Sequence, residues 1–520
     1  MNTTQPDTNN LSADGNEPVA NGDRNEVLRS EGIQCYPDRF EASQPNIGDI
    51  EKTVDVKLAV AGRVKAVRAF GNMAFVRLQD ITGNIQASIS VNGIGKEEFT
   101  RFKKVVRMGD FIGVTGTTFL TNTEEFTVRV DCLTYLGLSQ RPLPDKWKGV
   151  RDTELRYRQR YLDLIANNQT RQVFLGRSRL VHSIRNYLVQ NGFFEVETPV
   201  FNVTRAGALA KPFETYHNAL GIDLVLRIAP ETYLKRASAA GFNRCFEFAK
   251  CFRNEGISPD HLQEFLMLEF YACYWNFRDN MLFTRKLLQH CLTEVFGRLT
   301  FEIRDPHDNV RIIDFSGEWN ELTFRDAILQ TCGIDIDQYP TVASLVAECR
   351  QQGIEPDPKA VAAENFGRLV DSLYKNIARP SLQGPVFLIG HPIDMCPLAR
   401  ASDDRPDMGD RFQLVVGGVE LTNAYSELVD PVEQRRRLEA QASFGKAGDD
   451  EAMDLDEDFL LAMEHGMPPI SGCGIGIDRL IKTVLGLQNI RDAVLFPLLR
   501  PGSPGDRTDQ TPDYTSPEME

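Results

Sequence analysis

The segment Phe246–Tyr271, FEFAKCFRNEGISPDHLQEFLMLEFY, constrains this chain more than any other. Read with a period of two, it predicts a strand bearing Arg253 and Glu255 on one face, a Gly-containing loop, and a return strand aligning Phe265, Met267, Glu269 and Tyr271. The opposite faces carry Phe246, Phe248 and Phe252, then Leu266, Leu268 and Phe270. A hairpin with one merely solvated face would scatter Lys, Thr and Ser there. This face instead mixes an arginine and carboxylates with aromatic rings, the equipment of a pocket for a charged, flat ligand. Arg253 is a planar fork for phosphate or carboxylate oxygens, Phe265 is a ring on which a nucleobase can stack, and Glu269 with Tyr271 can hold an ammonium. A core hairpin whose charges pair with one another is the plainer reading of the same spacing.

Length and composition narrow the class. A chain of 520 residues has room for about three domains, and 42% hydrophobic content is enough for large cores. No apolar run reaches about 18 residues, and the N-terminal MNTTQPDTNNLSADGNEP has neither a basic start nor an apolar centre. Neither a membrane span nor a secretory signal is expected, and cytoplasmic residence is the default. The ten cysteines never fall as Cys-x-x-Cys, so they are expected to be reduced and mostly buried, without a zinc site or disulfide framework. A net charge of −15 argues against a general nucleic-acid binder, since non-specific affinity comes from Lys and Arg on phosphates. RNA contact must then be local. The clearest basic island is Arg141–Arg160, RPLPDKWKGVRDTELRYRQR, which also reads as a solvated linker with internal ion pairs.

Organisation follows from pattern changes. Residues 1–25 and 501–520 are rich in Asn, Asp, Thr, Gly and Pro and are expected to be disordered. A short helical lead-in at 26–53 precedes five short strands over 54–138, with a helix-like insert, KEEFTRFKKVV, between the third and fourth. That order suggests a Greek-key barrel of the OB type, whose exposed strands commonly hold single-stranded nucleic acid. After a basic linker at 139–160, the region 161–500 opens with a helix expected from Arg177 to the stop at Asn191-Gly192, followed by Phe194-Glu195-Val196-Glu197-Thr198-Pro199. Glu231 follows Pro230 at a helix start, where an acid complements the helix dipole. In LVVGGVELTNAYSE, Asn423, Tyr425 and Glu427 alternate along the second strand and share a face, which could equally be the solvated face of an edge strand. The stretch Gly472-Cys473-Gly474-Ile475-Gly476-Ile477-Asp478-Arg479 reads as a glycine-rich turn running into a helix.

Phe252-Arg253-Asn254-Glu255-Gly256, with His261 and Glu264-Phe265, resembles motif 2 of the class II aminoacyl-tRNA synthetases, in the form carried by the lysyl members of the aspartyl, asparaginyl and lysyl subgroup. The resemblance runs from about Val56 to Pro501: Phe194–Pro199 and its helix resemble motif 1, and Gly472–Arg479 resembles motif 3. It implies an α+β protein, with an N-terminal OB-type anticodon-binding barrel before a catalytic domain built on an antiparallel sheet flanked by helices. The implied activity is lysine–tRNA ligation in two steps: lysine and ATP give lysyl-adenylate and pyrophosphate, then the lysyl group passes to tRNA(Lys). A homodimer with no membrane association is implied as well.

The resemblance also implies roles. Arg253 would bridge the lysine carboxylate and the α-phosphate, and Arg479 would sandwich adenine against Phe265; these two are the catalytic candidates. Glu255 would fix the adenine end, with His261 near the outer phosphates. Gly207, Glu231, Glu269, Tyr271, Asn423, Tyr425 and Glu427 would form the lysine pocket: Glu231 on the α-ammonium, Asn423 on the carboxylate, Tyr425 against the aliphatic chain and Glu427 on the ε-ammonium. A buried carboxylate is what a charged amine in an apolar pocket requires, and it rejects neutral isosteres. In the barrel, Phe75 would stack on the central anticodon base while Arg68 and Gln86 read its edge and Glu125 meets a neighbouring base. Phe75 as a barrel-core residue is the alternative. Mg2+ would be held by Glu420 and Gln413, the latter standing where the family usually has a carboxylate. Further departures are Asp260 where Arg is common, Leu262-Gln263 for Asn-Pro, Leu266 for Thr, and Arg205-Ala206 for Pro-Gly. They motivate a second expectation, a weakened paralogue that binds tRNA or nucleotide without efficient charging. The stretch Lys446–Met453 also looks like the lysyl enzymes.

Overall fold

The computed structural model describes residues 23–143, 150–304, 310–362, 364–446 and 453–500. The tail from 501, nearly all of the N-terminal extension, the centre of the basic island and most of the Lys446–Met453 stretch lie outside the described residues. The chain divides into two compact units, one through Asn167 and one starting at Asn168.

In the first unit, β1 (Lys57–Phe70), β2 (Met73–Gln79), β3 (Asn84–Ser90), β4 (Phe111–Leu120) and β5 (Phe126–Gly137) close a barrel in the order β1-β2-β3-β5-β4. Alternation decides which side chains fill it: Leu58, Val60 and Val64 from β1 and Ala74, Val76 and Leu78 from β2 point inward, while Phe75 and Arg77 point outward. The helix Lys96–Val105 caps this core with Phe99, Phe102 and Val105. A helix already begins at Asp23, where disorder to about residue 25 was expected. The reason is Arg24, which is buried and donates to Asp110 Oδ2 at 2.8 Å and to the Val105 carbonyl at 2.9 Å. The described part of the basic island also differs from a linker. It forms the helices Thr153–Arg158 and Arg160–Ala166, with Arg158 paired to Glu154 at 2.5 Å and a fully buried Arg160 bonded to Asp163 at 2.7 Å. Arg160 is therefore withdrawn from any RNA.

The second unit opens with the helix Asn168–Gln190, which starts well before the expected Arg177 and buries Leu180, Ile184 and Leu188. The strands that follow are β6 (Phe194–Glu195), β7 (Phe201–Asn202), β8 (Glu214–His217), β9 (Ile222–Leu226), β10 (Arg244–Phe252), β11 (Glu264–Cys273), β12 (Thr300–Arg304), β13 (Val310–Asp314), β14 (Asn320–Thr323), β15 (Val386–Pro392), β16 (Met408–Val416), β17 (Val419–Ser426) and β18 (Ile470–Gly476). Eight of them form one sheet, β14-β15-β16-β17-β18-β11-β10-β6, antiparallel inside and parallel at its outermost pairs, β14·β15 and β10·β6. One face packs Phe246, Leu268, Phe270 and Phe412 against the helices Asn168–Gln190, Phe277–Phe296 and Ile477–Val484. The second of these helices is fixed at both ends, by an Asn276–Asp279 capping box and by Gly297 in the left-handed conformation.

Two expectations are corrected here. The motif-2 strand ends at Phe252, so Arg253 and Glu255 stand on the connection; a single ladder bond, from Arg253 N–H to the Gln263 carbonyl at 2.9 Å, carries the pairing past the strand end. The glycines of 472–476 form strand β18 rather than a turn, and the helix starts only at Ile477.

Candidate active site

The sheet's second face explains why so many polar residues alternate in these strands. Register places Asn423, Gly474, Glu269 and Glu247 in one row across β17, β18, β11 and β10, with Gln413 joining it from β16. The next row is Arg411, Tyr425, Gly472, Tyr271 and Cys245. The glycines give this face its depth. A Cβ on Gly472 would stand 2.2 Å from Tyr271 Cε1 and 2.5 Å from Glu427 Oε1, so only a bare backbone leaves room for those side chains. Gly207 performs a similar service: its φ of +88° and the 3.3 Å approach to Glu231 Cβ exclude a side chain there.

Three buried carboxylates meet around one buried ammonium. Glu231 sits in the first turn of the helix Glu231–Ala239, accepts a hydrogen bond from the Tyr425 hydroxyl and pairs with Lys235 at 2.6 Å. Lys235, fully buried, reaches Glu427 Oε2 at 2.5 Å, yet neither Glu427 oxygen receives a well-directed hydrogen bond. Glu269 accepts from the Tyr271 hydroxyl at 3.1 Å. Burial, reinforced by the charge of Glu231, pushes Glu269 up to about 8. Burial likewise raises Glu427, against the pull of the Lys235 ammonium and with Glu231 adding to the rise. Burial alone would lower Lys235, but Glu231 and Glu427 together outweigh it and keep it charged. Three potential negative charges against one positive leave a deficit of two cationic groups. The nearby Glu247 is already neutralised by Arg227 at 2.5 Å. Lys235 was missed in the sequence because a Glu four residues before a Lys on a helix reads as a surface pair worth about 0.3–0.5 kcal/mol.

Beside this pocket lies a cationic cleft. The Arg253 guanidinium lies 5.1 Å from the Phe265 ring centre, and its Nε is buried without an acceptor. Arg479 donates to the backbone carbonyls of Asp260 at 3.4 Å and Glu420 at 3.3 Å. Burial above all lowers its pKa; Glu420 opposes this, and the like charges of Arg253 and Arg379 add to it. His261 keeps part of its surface exposed, holds Ser258 at 2.7 Å through Nδ1, and is lowered by the protein packed around it and by Arg479. Glu255 is half-buried on the same loop. Asp260 pairs with Lys482, one turn beyond Arg479, and Ile490 N–H bonds the Pro259 carbonyl at 2.8 Å, so this departure ties the loop to the helix. Of the other departures, Leu266 packs on the core while its N–H bonds Asp478 at 2.7 Å, and Arg205 N–H bonds Asp454 at 3.0 Å. Asn423 Oδ1 accepts from Arg411 Nε at 2.8 Å. Gln413 is buried facing His391, with no well-directed hydrogen bond at Oε1, and Glu420 lies half-buried on β17.

The barrel has its own site on the outer face of β1–β3. Arg68, Phe75, Gln86 and Glu125 line one cavity of about 240 Å³, together with Arg77. Arg68 and Phe75 are cross-strand partners, as are Arg77 and Gln86. Phe75 is half-buried on this outer face and is not part of the barrel core. Arg77 pairs with Glu125 and donates to Asn84 at 2.8 Å, and Gln86 donates to Thr127 at 3.0 Å.

A five-stranded OB-type barrel preceding a helix-flanked sheet with this charged face defines a class II aminoacyl-tRNA synthetase, and residues 152–500 match the family described as tRNA synthetases class II (D, K and N), to which the chain belongs. Residues 58–136 match the OB-fold nucleic acid binding domain. Within that family it is 40% identical over 479 residues to a lysine–tRNA ligase of Pelotomaculum thermopropionicum, covering 91% of this chain and 93% of that one. A lysine–tRNA ligase of Azoarcus sp. is 43% identical over 449 residues, 86% of this chain and 87% of the relative. One from Magnetococcus marinus is 40% identical over 485 residues, covering 91% and 95%.

Proposed function

We propose that the chain is a lysine–tRNA ligase, which activates L-lysine with ATP and transfers it to tRNA(Lys). The observation that carries the choice of amino acid is the buried carboxylate cluster with a deficit of two positive charges, because lysine brings two ammonium groups. An aspartate or asparagine side chain would add no cation and would leave the cluster one positive charge short, with Lys235 shared between Glu231 and Glu427.

In this reading Glu231 meets the α-ammonium, Glu427 the ε-ammonium, and Glu269 with Tyr271 completes the shell. Tyr425, bonded to Glu231, holds that carboxylate in place and flanks the aliphatic chain; Asn423 faces the lysine carboxylate; Gly207 lets the amino acid approach the backbone. Arg253 brings that carboxylate to the α-phosphate, and its unbonded Nε is free for the charge that develops there. Adenine lies between Phe265 and Arg479, Glu255 fixes its edge, and His261, neutral at physiological pH, donates toward the outer phosphates. The carboxylate oxygen attacks the α-phosphate and pyrophosphate leaves; the tRNA terminal hydroxyl then attacks the lysyl carbonyl, and AMP leaves. Positioning and positive charge supply most of the catalysis. Glu420 and Gln413 Oε1 are oxygen donors that would hold Mg2+ arriving with the nucleotide, and the ion would neutralise charge on the leaving pyrophosphate. Among the described residues no group of three or more His, Cys, Asp or Glu is placed to hold a metal unaided.

On the barrel, Phe75, Arg68, Gln86 and Glu125 receive the anticodon. Exposed Val189, Phe194, Phe201 and Val203 around the motif-1 segment support a homodimer. No described helix is long and apolar enough to cross a membrane.

Lysine-dependent exchange of pyrophosphate into ATP, with aspartate and asparagine as controls, tests the reading. Exchange with lysine alone is expected. Its absence in protein that still binds tRNA would favour the weakened paralogue.

A further inference from the structure

The cationic cleft holds one guanidinium to which the sequence reading gave no role. Arg379 follows a π-helical turn, Tyr374–Ala378, and opens the short helix Arg379–Ser381. A π-turn inserts a residue and re-aims the side chains after it, and such turns concentrate at functional sites. The segment after Arg379 is fastened to the Gly417-Gly418 turn joining β16 to β17: Gly417 N–H bonds the Gln383 carbonyl at 2.9 Å and Gly418 N–H the Leu382 carbonyl at 2.8 Å. A Cβ on Gly418 would lie 3.4 Å from the Arg379 carbonyl. The hairpin that presents Gln413 and Glu420 is therefore pinned to the residue that presents Arg379.

Among the described residues Arg379 makes no ion pair and no side-chain hydrogen bond, and its Nε is buried without an acceptor. Its positive charge is felt by His261, Arg479 and Tyr374. Arg479 reaches the Glu420 carbonyl at 3.3 Å, on the same β16–β17 hairpin to which the Arg379 segment is fastened, so both arginines are anchored at one hairpin. Of the acids there, Asp260 is taken by Lys482, which leaves Glu420 and Glu255 against three guanidiniums. Crowded guanidiniums repel one another, and a polyanion relieves that repulsion.

We propose that Arg379 is a polyphosphate-binding residue of the nucleotide site, gripping the outer phosphates of ATP and supplying fixed positive charge beside the uncharged Gln413. The assignment rests on the nucleotide site proposed above. Its function is to neutralise the leaving pyrophosphate where the protein's anchoring of a cation is limited to one carboxylate and one amide.

The test is calorimetric binding of ATP and of AMP in EDTA, for the wild type, Arg379→Met and Arg379→Lys. Arg379→Met is expected to lose at least about tenfold in ATP affinity while AMP affinity changes by less than about twofold, and Arg379→Lys to recover part of the loss. In pyrophosphate exchange, Arg379→Met should need more Mg2+ for half-maximal rate. Unchanged ATP affinity in Arg379→Met overturns the proposal. So do equal losses for ATP and AMP, which would mark a merely structural arginine, and a wild type that binds ATP no better than AMP in EDTA. The ATP-specific loss in Arg379→Met, together with a wild type that shows no lysine-dependent exchange, would sink the ligase reading and leave Arg379 standing.

Discussion

The outer face of the barrel and the pocket face of the large sheet both offer an aromatic ring, arginine and carboxylates, but they treat charge in opposite ways. On the barrel, Arg77 and Glu125 pair with 39% and 35% of their side chains exposed, so water can replace either partner. In the sheet, Glu427 and Glu269 keep 2% and 4% of their surface, and an unmatched charge there has no solvent to fall back on. The buried site can therefore reject a ligand by charge alone. The exposed one must select by stacking and by hydrogen bonds that can rearrange.

The largest effect should come from the buried side. Glu427→Gln removes one carboxylate that answers an ammonium and is expected to cut kcat/KM for lysine in exchange by about a thousandfold, as befits ~3–5 kcal/mol for a broken buried pair. A loss under tenfold would mean the pocket is wetter than its geometry. Next, Phe75→Ala should weaken tRNA binding by about ten- to a hundredfold, the worth of one stacked base, with exchange as the RNA-independent control. Equal losses in both assays would return Phe75 to a structural role.

A third effect is graded by pH. Glu269 carries its proton below about 8 and faces Glu231, Lys235, Tyr271, Glu247 and, through the pocket, Glu427 and Tyr425. Lysine's ammonium needs the ionised form, so binding should release a proton. Affinity is expected to rise by up to about tenfold per pH unit below 8 and then level off until the amino acid's own ammonium groups deprotonate. The folded pKa lies above the ordinary 4.5, so the fold binds more protons than the unfolded chain between those values. Stability should fall as pH rises through that window, and lysine should restore most at its upper end. Calorimetry in buffers of different ionisation enthalpy checks the proton count; no release at pH 7 would place Glu269 in its ionised form already. The smallest effect belongs to the surface: Glu125→Gln should change tRNA affinity by less than about fivefold. A loss approaching that of Glu427→Gln would erase the contrast between the two sites.

Where a period of two governs, the sequence was readable. The barrel, the β10–β11 hairpin and the shared face of Asn423 and Tyr425 follow from alternation, because a strand's two faces are fixed by parity, while Glu427 lies one residue past the end of β17. What escaped depends on which neighbours arrive from elsewhere. Lys235 looks like a solvated helix residue until β17 brings Glu427 against it. Arg379 carries no local signal, since a π-turn has no distinctive spacing. The alternate glycines 472, 474 and 476 did carry one: their own period of two marks a strand face without side chains, although glycine's frequency in turns hides it. The helix before Arg177 and the ordered Arg24 were likewise hidden, their partners being distant in sequence.

The glycine-lined strand has a consequence for ligand design. Where side chains wall a cavity, rotamers let it swell or shrink to suit a guest; β18 offers main chain held in a ladder on both sides, from β17 and from β11, and main chain cannot step aside. An inhibitor pressing on that floor meets a surface of fixed height. Length matched to this one dimension should govern its selectivity more than added bulk or flexibility.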